Sequence, residues 1–154
     1  MRKVIDEQLL FGEVDVSQIE FDPKSRDDIP QLLKGLQYIY TNVDSRKKVF
    51  DVLEKAIPKS VNKKNGRPGM ELWKILVLGT LRLNLNLDYD RLTELANQHN
   101  NIRKMLGHGV FNNSSYHLQT IKDNIKLLTP EILEEINVII VEAGHRLLKK
   151  KIKN

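Results

Sequence analysis

One apolar segment constrains the fold of this chain more than any other. It runs from Met70 to Leu83, MELWKILVLGTLRL, and nine of its fourteen residues are apolar. A helix with this composition has no wide polar face, and such a helix lies at the centre of its domain. The wider apolar run, Leu72 to Leu87, contains Lys, Arg and Asn residues and is too short and too polar to span a bilayer. The sequence therefore predicts one buried helix surrounded by others.

Helix signals in the first half of the chain predict two helices before the apolar segment. The first begins near Asp28, with Pro30 at an early helical position. The second begins after Asp44 or Ser45 and ends at Pro58. The residues predicted to face inward are Ile29, Leu32, Leu33, Leu36, Ile39 and Tyr40 on the first helix, and Val49, Phe50, Leu53 and Ile57 on the second.

Similar signals divide the second half of the chain. Asp88 is a predicted N-cap, and Gly107 is a predicted C-cap of a short helix that carries Ile102, Met105 and Leu106. Ser114 or Ser115 is the predicted cap of the next helix. Thr129-Pro130-Glu131 combines an N-cap, a proline at the first helical position and an early carboxylate, so it predicts the start of the last helix.

The predicted fold class is mainly α: a helical bundle that contains a helix-turn-helix-like unit. Near the N-terminus, the alternation of Val14, Val16, Ile19 and Phe21 is compatible with short strand pieces. Residues 58–69 are rich in Pro, Gly, Asn and Lys and form a predicted linker. We therefore expect an N-terminal helical segment, residues 1–62, and a helix-turn-helix-like domain, residues 63–154, with a basic C-terminal tail.

Positive charge is concentrated in two blocks of the sequence. The net charge is +5, but residues 45–70 alone hold eight basic and two acidic side chains. The tail, residues 146–154, holds five basic side chains and no acidic one, whereas residues 1–44 hold five basic and nine acidic. Basic blocks attract polyanions such as nucleic acid or acidic lipid. The alternative interpretation is an ordinary solvated surface.

The sequence offers no constellation typical of an active site. It has no cysteine, and its four histidines lack the i, i+4 pairing of a metal-binding helix face. It also lacks a P-loop, a dinucleotide fingerprint and a GxSxG motif. We therefore predict no catalytic residue, metal or cofactor. The absence of cysteine and of an apolar leader in the first ten residues fits a cytoplasmic protein without membrane contact.

The segment from Asp88 to Leu128 has the scale of a helix-turn-helix unit. Its last helix is the predicted recognition helix, with Leu118, Ile121 and Ile125 facing inward. The side chains predicted to face outward are Tyr116, His117, Gln119, Thr120, Lys122, Asp123, Asn124 and Lys126. The early ones are suited to base edges and the lysines to phosphates. Any surface helix shows polar residues, so this pattern alone is weak.

The linker has the chemistry of an arm that enters the minor groove of DNA. Gly66 allows the backbone to approach the DNA closely, and Pro68 keeps the chain extended. Arg67 suits the negative potential of a narrow groove. Lys63 and Lys64 precede it. The alternative is a loop in which Pro and Gly only direct the chain into the next helix. Together, the residues predicted to contact DNA are Lys63, Lys64, Arg67, Tyr116, His117, Gln119, Thr120 and Lys122.

These motifs resemble the N-terminal region of bacterial insertion-sequence transposases of the DDE type, most closely the ISNCY family. The run GRPGMELWKILVLGTLRLNLNLDYDRLTELANQHNNIRKMLGHG carries the resemblance, within which GRPGM, LDYDRLTELA and MLGHG occur at fitting spacing. The earlier SRDDIPQLLKGLQYIY and the later QTIKDNIKLLTPEILEEINVIIVEAGH are similar to the same group in the same order. The resemblance covers nearly the whole chain, from about Gln8 to Lys150.

The resemblance implies a helical region that engages the terminal inverted repeats of an element in double-stranded DNA. In such enzymes a ribonuclease-H-like domain with an Asp-Asp-Glu triad and divalent metal follows. The present chain reaches Lys149 where that domain would begin, so we expect a truncated, DNA-binding part without catalytic activity or a metal of its own. The expected location is the nucleoid in the bacterial cytoplasm, and expected partners include a second copy or a full-length transposase.

Two alternatives to DNA recognition follow from the same sequence. The helices predicted in residues 28–57 and 129–153 would serve as a dimerisation or assembly module, and the acidic N-terminal block favours this because it disfavours phosphate. The chain would otherwise be a non-functional remnant of a transposase.

Overall fold

The fold consists of helices, as the sequence predicts. The computed structural model describes residues 15–21, 28–56, 70–109, 113–139 and Glu142. Within these ranges there are helices, turns and extended segments but no β-strand, which confirms a mainly α bundle. The helices are α1 (Asp28–Thr41), α2 (Val43–Ala56), α3 (Leu72–Leu85), α4 (Tyr89–Gln98), α5 (Asn100–Met105), α6 (Leu118–Ile125) and α7 (130–139).

Helix α3 lies at the centre of the bundle. Apart from Lys74, all of its residues from Leu72 to Leu81 are buried. It packs against α1, α2, α4 and α6. Gly79 allows close packing, because a Cβ built at this position would lie 2.5 Å from Cδ1 of Leu128. The prediction of a central helix is confirmed, with α3 beginning two residues later than Met70.

Trp73 joins three other helices to α3. Its indole Nε1 donates a hydrogen bond of 2.8 Å to the carbonyl oxygen of Met105, at the end of α5. The rings of Tyr40 on α1 and Phe50 on α2 lie edge-on to it, with centroids at 5.0 and 6.3 Å. The helices on either side of the predicted linker therefore share one hydrophobic core. The linker itself, residues 58–69, lies outside the described residues.

Three predicted helix boundaries are confirmed, two starts and one end. The side chain of Asp88 accepts a hydrogen bond of 2.7 Å from the backbone N–H of Arg91 and caps α4. Gly107 has a φ of 93°, the left-handed conformation that suits glycine after a helix. The hydroxyl of Thr129 lies 3.4 Å from the backbone nitrogen of Ile132, and α7 begins at position 130.

Two predicted helix starts are wrong by a few residues. Helix α2 begins at Val43, before Asp44 and Ser45, because the side chain of Asn42 accepts a 3.0 Å hydrogen bond from the N–H of Ser45 and acts as its cap. Helix α6 begins at Leu118 instead of directly after Ser114 or Ser115, because residues 113–117 are not helical.

The described part of the N-terminal region forms a 3-10 turn, so the expectation of strand pieces there is wrong. Residues Val16–Gln18 form the turn, which the Asp15 carboxylate caps by accepting from the N–H of Ser17 at 3.0 Å. The side-chain amide of Gln37 on α1 donates to the carbonyl oxygens of Val16 and Ile19 at 2.9 and 2.7 Å. These bonds attach the turn to α1 and take the place of a strand partner.

Candidate nucleic-acid interface

Helices α4, α5 and α6 make up the unit that the sequence predicts to be similar to a helix-turn-helix. His99 alone separates α4 from α5, and its Nδ1 accepts a 3.3 Å hydrogen bond from the N–H of Ile102. Helix α6 packs against both α4 and α3. The order of helix, short helix, loop and helix is as predicted. Twelve residues, 106–117, separate α5 from α6, which is more than the three- or four-residue turn of a standard helix-turn-helix.

Helix α6 lies at the surface with one face inward. Ile121 and Ile125 are buried, as predicted, and Leu128 beyond the helix is buried too. His117, Gln119, Thr120, Asp123 and Lys126 are exposed, whereas Lys122 and Asn124 are half-buried. The exposed residues of the first turn therefore present one amide and one hydroxyl to solvent.

Some polar groups on α6 already have partners on the same helix. The side-chain amide of Gln119 donates to the carboxylate of Asp123 at 2.7 Å, one turn later. The side-chain amide of Asn124 donates to the carbonyl oxygen of Thr120 at 2.7 Å. A pair at i, i+4 on a helix contributes only about 0.2–0.5 kcal/mol, so the Gln119 side chain can exchange this partner for another.

Two side chains lie on the opposite side from the one predicted. Leu118 is 40% exposed, although the sequence pattern places it inward. Tyr116 is half-buried and contacts His108, although the pattern places it on the outward face. Tyr116 precedes α6, which begins at Leu118, so the helical period does not apply to it. Leu118 itself is the first residue of the helix and lies at its exposed end.

Asn97, in the last turn of α4, holds the chain just before α6. Its side-chain nitrogen donates to the carbonyl oxygen of Tyr116 at 2.9 Å, and its side-chain oxygen accepts from the N–H of Tyr116 at 2.7 Å. Both polar atoms of the Asn97 amide thus bond the backbone of one residue. A neighbouring β-strand makes the same pair of hydrogen bonds with its own backbone N–H and C=O. We refer to this contact as the Asn97–Tyr116 pair.

Arg103 on α5 also holds this segment. Its guanidinium donates to the carbonyl oxygen of Ser114 at 2.7 Å and to that of Ala96 at 3.2 Å. The residue therefore connects the end of α4 to the segment that precedes α6. Since these bonds go to backbone oxygens, Arg103 contributes to the positioning of the loop.

A buried histidine and a tyrosine complete the contacts of the loop. The imidazole Nε2 of His108 is hydrogen-bonded to the hydroxyl of Tyr116. Burial, with the positive charges of Lys74 and Arg103, lowers the pKa of His108 from 6.5 to about 4. Burial raises the pKa of Tyr116, an effect that Arg103 opposes and Glu71 reinforces. Both side chains are therefore neutral at pH 7.

Asn97, Arg103 and His108 hold the segment before α6, and the sequence pattern does not predict this role for any of them. The only signal in the sequence is a polar residue, Asn97, directly after the buried Ala96 of α4. Because Asn97 and Tyr116 are 19 positions apart, no local pattern reveals their contact. Of the predicted DNA-contacting residues, the structure places His117, Gln119, Thr120 and Lys122 on or next to α6. Lys63, Lys64 and Arg67 lie outside the described residues.

Charges on the described surface differ from helix to helix. Lys122 on α6 and Lys126, the residue that directly follows the helix, accompany one carboxylate, Asp123. On α7, three carboxylates are exposed, those of Glu131, Glu134 and Glu135. Nucleic acid would be repelled by α7 and tolerated by α6.

The described ranges contain no group of three or more His, Asp or Glu side chains that is suited to a metal ion. None of the helices within them has the length and apolar character needed to cross a membrane. Comparison with protein-family models, with curated proteins and with solved structures gives no match. The resemblance to ISNCY transposases accordingly stays a prediction.

Proposed function

We propose that this chain is the DNA-binding, amino-terminal part of a bacterial insertion-sequence transposase, which recognises element ends and leaves strand cleavage to a separate catalytic domain. The placement of α6 carries the proposal. This helix lies at the surface, and its first turn offers exposed polar side chains. The segment before it is held by hydrogen bonds from α4 and α5. Recognition helices contact base edges through their N-terminal residues.

The exposed side chains of α6 have the chemistry for this role. The amide of Gln119 suits the donor and acceptor pair that adenine presents in the major groove, and the hydroxyl of Thr120 suits several base edges. Lys122 on the same helix and Lys126 directly after it suit phosphates. His117 is exposed at the start of α6 and offers a further donor or acceptor.

The distribution of charge also favours DNA contact at α6 over contact at α7. The carboxylates of α7 would repel phosphate, whereas Lys122 and Lys126 would attract it. The linker cations Lys63, Lys64 and Arg67 add a second, sequence-independent source of attraction in this proposal. Double-stranded DNA with the terminal inverted repeats of an element is the proposed partner, and the bacterial cytoplasm the proposed location.

Fluorescence anisotropy of the purified chain tests the proposal. One duplex carries the presumptive terminal repeat and the other a scrambled sequence, and both are titrated across a salt series. We expect salt-sensitive binding that prefers the repeat. Equal binding to both duplexes would leave only electrostatic attraction by the basic blocks. No binding at moderate salt would refute the DNA proposal.

Gln119→Ala tests the recognition helix directly. Loss of an amide that contacts a base costs about 1–3 kcal/mol of discrimination, so the preference for the repeat should fall by a factor of about 5 to 150. Affinity for the scrambled duplex should stay the same, because the substitution removes no charge. Gln31→Ala, on the exposed side of α1, is the matched control and should leave the preference unchanged. An unchanged preference in Gln119→Ala would exclude this assignment.

The second candidate function is assembly of a transposase complex. Helix α7 exposes three carboxylates, those of Glu131, Glu134 and Glu135, which disfavour phosphate and so favour a role other than DNA contact for this helix. The apolar faces of α1 and α2, in contrast, are already used in the core. Size-exclusion chromatography with light scattering distinguishes the candidates: a dimer that ignores both duplexes would support assembly.

A further inference from the structure

The start of α6 is held by another helix, whereas its own N-cap side chain makes no capping bond. The N-cap residue, His117, forms no side-chain hydrogen bond to the first turn. A helix without a capping side chain leaves its first N–H groups to water and is prone to fray. With only eight residues, α6 has little stability of its own. Its starting position must therefore depend on contacts from elsewhere in the fold.

The Asn97–Tyr116 pair supplies the nearest such contact. Its two hydrogen bonds, of 2.9 and 2.7 Å, fix the backbone of Tyr116 in both directions, two residues before Leu118. Tyr116 is further held by its hydroxyl against His108, and the carbonyl of Ser114 by Arg103. Two of these contacts are made to the backbone, and the Asn97–Tyr116 pair lies nearer to α6 than the bond to Ser114.

A small shift of this backbone would affect base contacts and phosphate contacts differently. Gln119 and Thr120 follow Tyr116 by three and four residues, so they move with it. A base-reading side chain has to lie within about 0.5 Å of its productive position. Lys122 and Lys126 have long, flexible side chains and act on phosphate as point charges, so they tolerate such a shift.

We propose that Asn97 is a positioning residue for sequence recognition: through the backbone of Tyr116 it sets the placement of the first turn of α6 on DNA without contacting DNA itself. This inference rests on the proposed function. It predicts that loss of the Asn97 amide lowers discrimination between DNA sequences while binding to unrelated DNA persists.

Two variants, Asn97→Ala and Asn97→Asp, test the proposal in the full chain. Alanine removes both hydrogen bonds. Aspartate retains the acceptor for the N–H of Tyr116 but, when ionised, has no donor for its carbonyl. The control is Asn84→Ala on α3, whose side-chain amide donates to the carbonyl of Thr80 within the same helix at 2.9 Å. Circular dichroism at the assay temperature establishes that each variant is folded.

The first readout is the ratio of the dissociation constants for the scrambled and the repeat duplexes. We expect this ratio to fall about tenfold in Asn97→Ala, to fall less in Asn97→Asp, and to stay the same in Asn84→Ala. The affinity for the scrambled duplex and its salt dependence should not change, since no cation is removed. A general structural defect would instead weaken binding to both duplexes by the same factor, and that result would overturn the proposal.

The second readout does not involve DNA. Hydrogen exchange of the Tyr116 amide, followed by NMR, should be slow in the original chain and fast in Asn97→Ala. If exchange becomes fast while the ratio stays the same, the positioning role is wrong and the proposed function stands. If the original chain shows no preference between the duplexes, the proposed function fails and this inference fails with it, whatever the exchange rate.

Discussion

His108 is a histidine that the fold keeps neutral. It is only 8% exposed, its ring contacts Tyr116, and its pKa is lowered from 6.5 to about 4. The groups that lower this pKa, besides burial, are Lys74 on α3 and Arg103 on α5. A charged imidazole would therefore lie next to two cations in a poorly solvated site. The contact between His108 and Tyr116, in the segment before α6, is therefore made by a neutral imidazole.

This pKa shift makes stability depend on pH. Between about pH 4 and 6.5 the unfolded chain binds the proton on His108 and the folded chain does not, so the free energy of unfolding rises with pH across this window. The stabilisation is fully present above pH 6.5 and is lost as the pH falls toward 4. A shift of this size corresponds to a change of at most about 3 kcal/mol. Urea denaturation at several pH values measures it.

His108→Gln is the control for this prediction. Glutamine retains hydrogen-bonding capacity toward Tyr116 but does not titrate. The other three histidines are common to both proteins, so the difference between their pH profiles isolates His108. Parallel profiles between pH 4 and 6.5 would show that the fold does not depress this pKa.

At the scale of single helices, α4 and α6 begin in different ways. Helix α4 has a side-chain cap from Asp88, whereas the N-cap residue of α6 makes no such bond. Helix α4 therefore carries its own start signal in the sequence, and that signal predicts its boundary correctly. Helix α6 takes its start from tertiary contacts, and its predicted boundary is wrong.

Asp88→Ala should destabilise the protein by about 1 kcal/mol, because the N–H of Arg91 loses its 2.7 Å acceptor at the start of α4. The matched control is Asp90→Ala, which removes an exposed carboxylate from the same turn but leaves the cap intact. Its effect should be a few tenths of a kcal/mol, from the helix dipole alone. Thermal unfolding of both variants at one pH compares them, and equal losses would contradict the capping role.

At the scale of the whole molecule, the question is whether the helices on the two sides of the linker unfold together. Leu53 on α2 and Leu92 on α4 are both fully buried, and Trp73 on α3 contacts α1, α2 and α5. A core shared in this way couples the helices, because removing α1 and α2 would expose much of α3 to water.

Leu53→Ala and Leu92→Ala should therefore each lower the free energy of unfolding by about 2–5 kcal/mol within one cooperative transition. Fluorescence of Trp73, the single tryptophan, and far-UV circular dichroism should give the same midpoint in each variant. Separate midpoints for the two signals would indicate that residues 1–62 and 63–154 are independent domains.

Local features of the sequence are enough to predict the fold class and most of the helices. Caps such as Asp88 and Thr129 act over three residues, and the left-handed conformation at Gly107 depends on a single residue. The composition of residues 70–83 was enough to predict a central helix, because burial on all sides requires apolar residues on all sides. These are local properties, which short stretches of sequence contain.

The residues that surround the candidate interface are brought together by contacts between distant parts of the chain. Tyr116 is half-buried, and Asn97, 19 positions earlier, holds its backbone, whereas Leu118 at the start of α6 is exposed. Trp73 contributes to the single core through a hydrogen bond to Met105 that spans 32 positions. Contacts at such separations have no period and no fixed spacing in the sequence, since chain packing alone brings their partners together.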